Sequence, residues 1–319
     1  MSLKFASYQK IKFPHGIMFH HFHDFKHSKS QGSISAEQFD EILESLGNQN
    51  NILNADEFTQ RLGESKLQQN DICITFDDGL LCQSEIAQPV LKSRDIKAFF
   101  FVPSSIFFGD CDLIEVFRVF RHNYFTHIDD FYAEFFQLTS NEHSENFKSA
   151  EIRFKNSNYL AEYHFYSAND KWFRYLRDES LSKEQFASLM HILMSEKNFN
   201  IEDTKKLVWM SEKILVDLLK DDHSIGLHSY SHPTSLHKLD EDNQTLEYQK
   251  NFNHLEKVLG LKPTSMSHPF GNYNEVTLEI LRSMKIQIGF RDNFSIKGIR
   301  SNLEIPREDH SNILCEISQ

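Results

Sequence analysis

The chain is short of several features that mark common protein classes. Its four cysteines, Cys73, Cys82, Cys111 and Cys315, form no C-x-x-C pair, which excludes the familiar redox and zinc-ribbon spacings and fits reduced, structural thiols. Positive charge is scarce too: 34 Lys and Arg stand against 46 Asp and Glu, a formal charge of −12. That balance argues against a nucleic-acid surface and against a polybasic membrane anchor. No apolar run approaches membrane-spanning length, so no integral membrane segment is expected. Residues Met1 to Gln9 lack the charged start and apolar core of a signal peptide, and the expected location is cytoplasmic. There is no internal repeat, low-complexity tract or Gly/Ser-rich linker. The 319 residues therefore read as one large domain, since barrels of this length are routinely single units.

What is present centres on Ile74-Thr75-Phe76-Asp77-Asp78-Gly79, an apolar β-prone run ending in two carboxylates and a glycine. Successive strand side chains point to opposite faces, so neighbouring carboxylates both avoid a core only if the chain has just left the sheet. Gly79 permits that exit. Adjacent carboxylates repel, and a cation beside one of them relieves the conflict. Imidazoles to complete such a site stand in Ile225-Gly226-Leu227-His228-Ser229-Tyr230-Ser231-His232-Pro233, read as a strand followed by a loop or single turn, because Pro233 disfavours helix at His232. One Asp with two His is the pattern of a metal that keeps a position open for water or substrate. A third strand-end turn is Ser267-His268-Pro269-Phe270-Gly271-Asn272.

Together these stretches resemble the polysaccharide deacetylase family, the nodulation-type deacetylases of carbohydrate esterase family four. The motif TFDDG is met by Thr75 to Gly79, and H-S/T-x-x-H by His228 to His232. The third stretch is similar to the subgroup reading Y-P-Y/F-G, with His268 where Tyr is usual. The resemblance implies an α/β fold, an irregular (β/α) barrel. It implies that Asp77 is the general base and that Asp78, His228 and His232 hold one divalent metal ion. Zinc best suits that donor set, with cobalt, nickel or iron compatible. The implied function is metal-assisted hydrolysis of an N-acetyl group from a sugar or glycan intermediate, in surface polysaccharide assembly of the O-antigen or capsule type. The alternatives are a hydrolase of small cyclic amides, or a metal-binding relic acting as a glycan-binding module. The family's Leu-x-His near the C-terminus and the Arg of its third motif are both missing. Arg307, in Ile305-Pro306-Arg307, is expected to replace that Arg beside Asp77. His20, or else His310, is expected to protonate the leaving amine, and His268 joins the candidate site residues.

In chain order, Gly16 to Phe19 reads as a strand ending at His20, and Ser35 with Gln38 as a capping box opening a helix with the stripe Phe39, Ile42, Leu43 and Leu46. Strand Ile72–Phe76, a helix over about 84–92 and strand Lys97–Val102 form a βαβ unit. Residues 104–200 look largely helical and are rich in aromatics. They are expected to form an insertion that flanks the metal cleft, with the aromatic stripes buried against the parent domain. Ser211 caps a helix leading to strand Ser224–Leu227. Helices follow over Leu246–Leu259 and from Asn274, then strand Ile286–Phe290 and a last strand at Leu303–Ile305.

Overall fold

Strands β1 His15–Phe19, β3 Asp71–Phe76 and β4 Phe99–Val102 are apolar runs buried on both faces, as strands covered by helices must be. In the computed structural model, which describes residues 11–109, 113–161, 166–294 and 298–317, they join β2 Asn51–Ile52, β5 Ser224–Leu227, β6 Ser265–Ser267, β7 Ile288–Phe290 and β8 Arg307–Asp309 in one sheet. The order is β7-β6-β5-β4-β3-β1-β8, with β2 beside the start of β3, and every pairing is parallel. The circle nearly closes through one short segment. Ile305 bridges Phe290, with backbone bonds of 2.8 Å to Gly289 and Arg291, and two residues later Arg307 pairs with Gly16 of β1. All the C-terminal strand ends therefore open on one face, where a (β/α) barrel carries its chemistry.

The expected last strand at Leu303–Ile305 is displaced to Arg307–Asp309. Pro306 has no N–H to donate, so the ladder to β1 passes through its carbonyl, which accepts from the Gly16 N–H at 3.0 Å, and the paired run begins one residue later. The helix expected over 84–92 begins as a π-turn, Gln83–Ala87, before α3 Gln88–Ser93, because Pro89 interrupts the regular ladder. Helix α1 Ala36–Gly47 has the full Ser35/Gln38 capping box and buries Phe39, Ile42, Leu43 and Leu46, each contributing about 1.5–3 kcal/mol. The long helix opens at Glu241 rather than Leu246, since Asp240 caps it by accepting from the Asn243 N–H, and it closes on left-handed Gly260. Cys73 and Cys82 are buried thiols and Cys315 is exposed; Cys111 and residues 1–10 lie outside the described residues.

The chain divides into two compact units: Met1–Asp112 with Leu207–Gln319, and Leu113–Lys206. The second unit overlaps most of the helical stretch expected over 104–200. The second unit contains α4 Ile114–Asn123, α5 Ile128–Glu142, α6 Ser144–Lys155, α7 Ala168–Tyr175 and α8 Lys183–Glu196. Its aromatics bury against one another: Phe131, Phe135, Phe173 and Phe186 meet at 5.0–5.9 Å, mostly edge to face. That gives the unit its own core, whereas the sequence pointed to burial against the parent domain.

Two buried histidines make the fold acid-sensitive. Burial lowers His15 to about 4, opposed by its Nδ1–H bond to the Phe13 carbonyl at 2.7 Å. Burial likewise lowers His223 to about 4; its Nδ1 accepts from the Ala98 N–H at 3.0 Å and so must be unprotonated. Both folded values lie below the unfolded one, so their stabilising contribution is complete above pH 6.5 and is lost as pH falls toward 4. Each accounts for up to about 3 kcal/mol across that window. Urea unfolding at pH 7 and pH 5 is expected to show the fall. In His223→Asn, whose amide oxygen also accepts from Ala98, the fall should shrink; an unchanged pH dependence would show that His223 is not responsible.

Candidate metal centre

The two adjacent carboxylates are separated by a turn. Asp77 continues the ladder, its N–H donating to the Phe19 carbonyl at 3.3 Å. Asp78 then adopts φ +74° and Gly79 φ +63°, which sends the two side chains in different directions. Asp77 points into the barrel and is 3% exposed, while Asp78 stays partly open to solvent. A side chain at Gly79 would meet Val102 Cγ1 at 3.0 Å in a backbone region L-residues avoid.

Asp78 faces the two histidines. Its Oδ1 lies 3.4 Å from Nε2 of His228 and 3.4 Å from Nε2 of His232, and the two Nε2 atoms are 3.0 Å apart. Ligands about 2.0–2.1 Å from a tetrahedral ion stand about 3.3 Å from one another, so the three atoms have the spacing of one coordination face. The ring tautomer fits as well: His228 Nδ1–H donates to the Ser267 carbonyl at 2.9 Å, leaving the neutral ring's Nε2 lone pair directed at the centre. The sequence-predicted set Asp78, His228 and His232 is thus brought together as a site fit for a divalent ion.

The histidine loop is held from behind by α11, Glu241–Leu259. Asn251 accepts from the His228 N–H at 2.9 Å and donates to the Val102 carbonyl at 2.9 Å, joining the tips of β5 and β4. The Glu247 carboxylate accepts from the N–H groups of Tyr230 and Ser231 and from the Ser231 hydroxyl. These bonds support left-handed Ser229 (φ +58°) and His232 (φ +54°), conformations that cost about 1–3 kcal/mol each without such support. On the strand below, a Cβ at Gly226 would come within 2.6 Å of the Ser265 carbonyl and 2.7 Å of the Phe101 ring, so only glycine fits. Beyond β6, Phe270 (φ +52°) lays its half-exposed ring 4.8 Å from His232.

Arg307 reaches Asp77 from across the barrel. Its Nη1 and Nη2 donate to Oδ1 and Oδ2 at 2.7 Å each, a two-pronged hold. The remaining three N–H groups go to Thr75 Oγ1 (3.2 Å), Ser267 Oγ (2.7 Å) and the Arg291 carbonyl (2.6 Å), so all five donors of a 1% exposed guanidinium are used. Ser267 Oγ donates in turn to Asp77 Oδ2 at 3.1 Å. Burial pushes Asp77 upward, but the Arg307 charge and then His228 outweigh it and hold the group at about 2. Asp78 is likewise held well below the carboxylate range: burial raises it, and the facing histidines lower it further than burial raises it.

The other candidates separate. His20, at the tip of β1, has Nε2 3.9 Å from Asp78 Oδ2 and is partly exposed beside the centre. His268 is fully buried, donates Nε2–H to the Leu303 carbonyl at 2.9 Å and stacks on Tyr273 at 4.2 Å; burial lowers it to about 4. His310 is buried against Phe19, with its ring nitrogens on the carbonyls of Met18 (3.3 Å) and Gly32 (3.1 Å). His310 is tied at both nitrogens, and His268, bonded through Nε2, keeps its unpartnered Nδ1 buried away from solvent, so neither presents an edge to a substrate. Sequence reasoning missed Ser267, Asn251 and Glu247. For Asn251 a signal existed: it falls in the buried stripe of α11 with Gln244, Tyr248 and Leu255, where a polar residue implies a buried partner.

Residues 180–289 match the polysaccharide deacetylase family. The matched stretch is about a third of the chain and includes His228, His232 and His268. No curated protein matches the sequence significantly. Among solved structures, the Streptococcus pyogenes deacetylase PplD in complex with acetate is similar at 18% identity and TM-score 0.52, over 94% of this chain and 92% of that one. IcaB from Ammonifex degensii is similar at 16% identity and TM-score 0.52, over 93% and 91%. A de-N-acetylase from Aggregatibacter actinomycetemcomitans is similar at 12% identity and TM-score 0.53, over 92% and 93%. The fold is therefore the nearly closed parallel (β/α) barrel of the deacetylase type. Among the described residues no helix is long and apolar enough to cross a membrane.

Proposed function

We propose that the protein is a metal-dependent hydrolase that removes an N-acetyl group from a sugar or glycan intermediate of surface-polysaccharide assembly, in the cytoplasm and within the Y-P-F-G-like subgroup. The observation that carries the chemistry is the division of labour at β3. Asp78 joins two histidines in a three-ligand set, while its neighbour Asp77 is turned away and kept ionised by Arg307. The matched family and the deacetylases that share the fold supply the substrate class.

A divalent ion held by Asp78, His228 and His232, zinc by donor type, would supply Lewis-acid stabilisation of charge on the acyl oxygen and would acidify water at the site. Asp77 takes the proton of the attacking water at Oδ1, which keeps one lone pair beyond the Arg307 bond, whereas Oδ2 accepts from both Arg307 and Ser267. Arg307 fixes the rotamer of that carboxylate and keeps it ionised before the water attacks, so that it is free to accept the proton. His20, partly exposed and on the Oδ2 side of Asp78, delivers a proton to the leaving amine.

Elemental analysis of the native protein is expected to give close to one divalent ion per chain, and much less in His228→Ala. Acetate release from N-acetylated nucleotide sugars, lipid-linked sugars or oligosaccharides should be lost with a chelator and restored by zinc. Equal metal in both proteins, or release that ignores the chelator, would sink the reading.

A further inference from the structure

The unit Leu113–Lys206 buries a cation that no carboxylate among its described residues pairs with. Arg121 of α4 is 7% exposed, and its guanidinium carbon lies 4.8 Å from the centroid of Phe173 and 5.8 Å from that of Phe131. Among the described residues no acceptor or carboxylate pairs with it, and its buried Nε–H has no partner. Two ring faces offset only part of the penalty for taking a guanidinium out of water, and buried charges are ordinarily paired.

More guanidiniums gather around it. Arg118 precedes it by three residues on the same face of α4. Arg174 follows Phe173 directly, and Arg177 is one turn further. Burial first, and then the charges of these three arginines, hold Arg121 down at about 9 despite some compensation from Tyr132. Of the carboxylates at hand, Asp170 accepts from Arg174 Nε at 3.0 Å through Oδ1 while its buried Oδ2 bonds to nothing, and Asp178 is forked by Arg177 at 2.6 and 2.9 Å. In a chain with a formal charge of −12 the cluster is a local exception.

We propose that Arg121, with Arg118, Arg174 and Arg177 around it, forms an anion site that takes a phosphate or diphosphate ester. Planar guanidinium forks match the oxygens of such a group, and the excluded water strengthens each bond. The inference stands apart from the deacetylase reading, since none of these residues belongs to the metal centre.

Titration calorimetry of the full chain with pyrophosphate, at constant ionic strength, tests it. One site per chain is expected, weakened about tenfold or more in Arg121→Met, which keeps the bulk and removes the fork. His228→Ala should bind as the native protein does. The double variant Arg118→Gln/Arg177→Gln, at partly exposed positions, should lose affinity comparably and carries the test if Arg121→Met does not fold. Competition by a nucleoside diphosphate, or by vesicles containing phosphatidic acid, then assigns the source of the group. Absent binding in the native chain, or equal affinity in the native chain and the arginine variants, overturns the proposal. So does binding lost in His228→Ala but kept in Arg121→Met, which would place the anion at the metal centre.

Discussion

Arg307→Met is expected to cost about 3–5 kcal/mol of folding stability, the usual penalty for removing one partner of a buried ion pair. The loss is large because the side chain is 1% exposed and its fork is the Asp77 carboxylate's main compensation for burial. Methionine fills much of the space but leaves Asp77 ionised and unpaired, and strips Thr75, Ser267 and the Arg291 carbonyl of a donor. Arg307→Lys should fall between: it keeps a charge, but three rotating donors on one nitrogen cannot span both carboxylate oxygens and the three other acceptors. Chemical unfolding at pH 7 measures both. If the methionine variant loses under about 1 kcal/mol, the pair is not what organises the barrel mouth. Turnover separates positioning from stability, because the folded lysine variant should retain metal yet release acetate slowly.

Much of this was legible from residue pattern. The run Ile72 to Gly79 announced a strand ending in a carboxylate turn, and Ser35, Ser211 and Asn274 announced helix starts that the structure has at those positions. The metal set was legible because its ligands follow strands directly, so parallel topology alone brings them to one face. What escaped depends on closure of the barrel. Ile305 bonds to β7 while Arg307 bonds to β1, and no local periodicity encodes a segment that changes partner across a proline. Ser267 looks like an ordinary strand-end serine until Arg307 and Asp77 arrive from sequence positions 40 and 190 residues away. His268 and His310 were misleading for the opposite reason: a histidine after a strand or before a helix reads as accessible, and only the packed structure shows both rings turned inward onto backbone carbonyls. The divergent directions of Asp77 and Asp78 rest on one left-handed residue, and aspartate is among the few side chains that visit that region.

Asp77→Asn is expected to lower turnover by about 10²–10⁴-fold, the range for removing a general base, while leaving the metal content near native. The metal should stay because Asp78, His228 and His232 do not include the altered side chain. The substitution also disturbs the fork: one amide end can accept from Arg307, but the other presents N–H groups to N–H groups. Some stability will be lost with the activity, so a second variant is needed to tell the two apart. In Asp77→Asn/Arg307→Met the buried cation and the buried anion are removed together. Its destabilisation is expected to be smaller than the sum of the single losses by about 0.5–3 kcal/mol, since each single change strands the other charge. Turnover should not recover with that stability, because neither methionine nor an amide accepts the proton of the attacking water. Recovery of acetate release in the double variant would show that Asp77 serves only to hold Arg307, and the base would then have to be sought among the groups facing Asp78, His20 first.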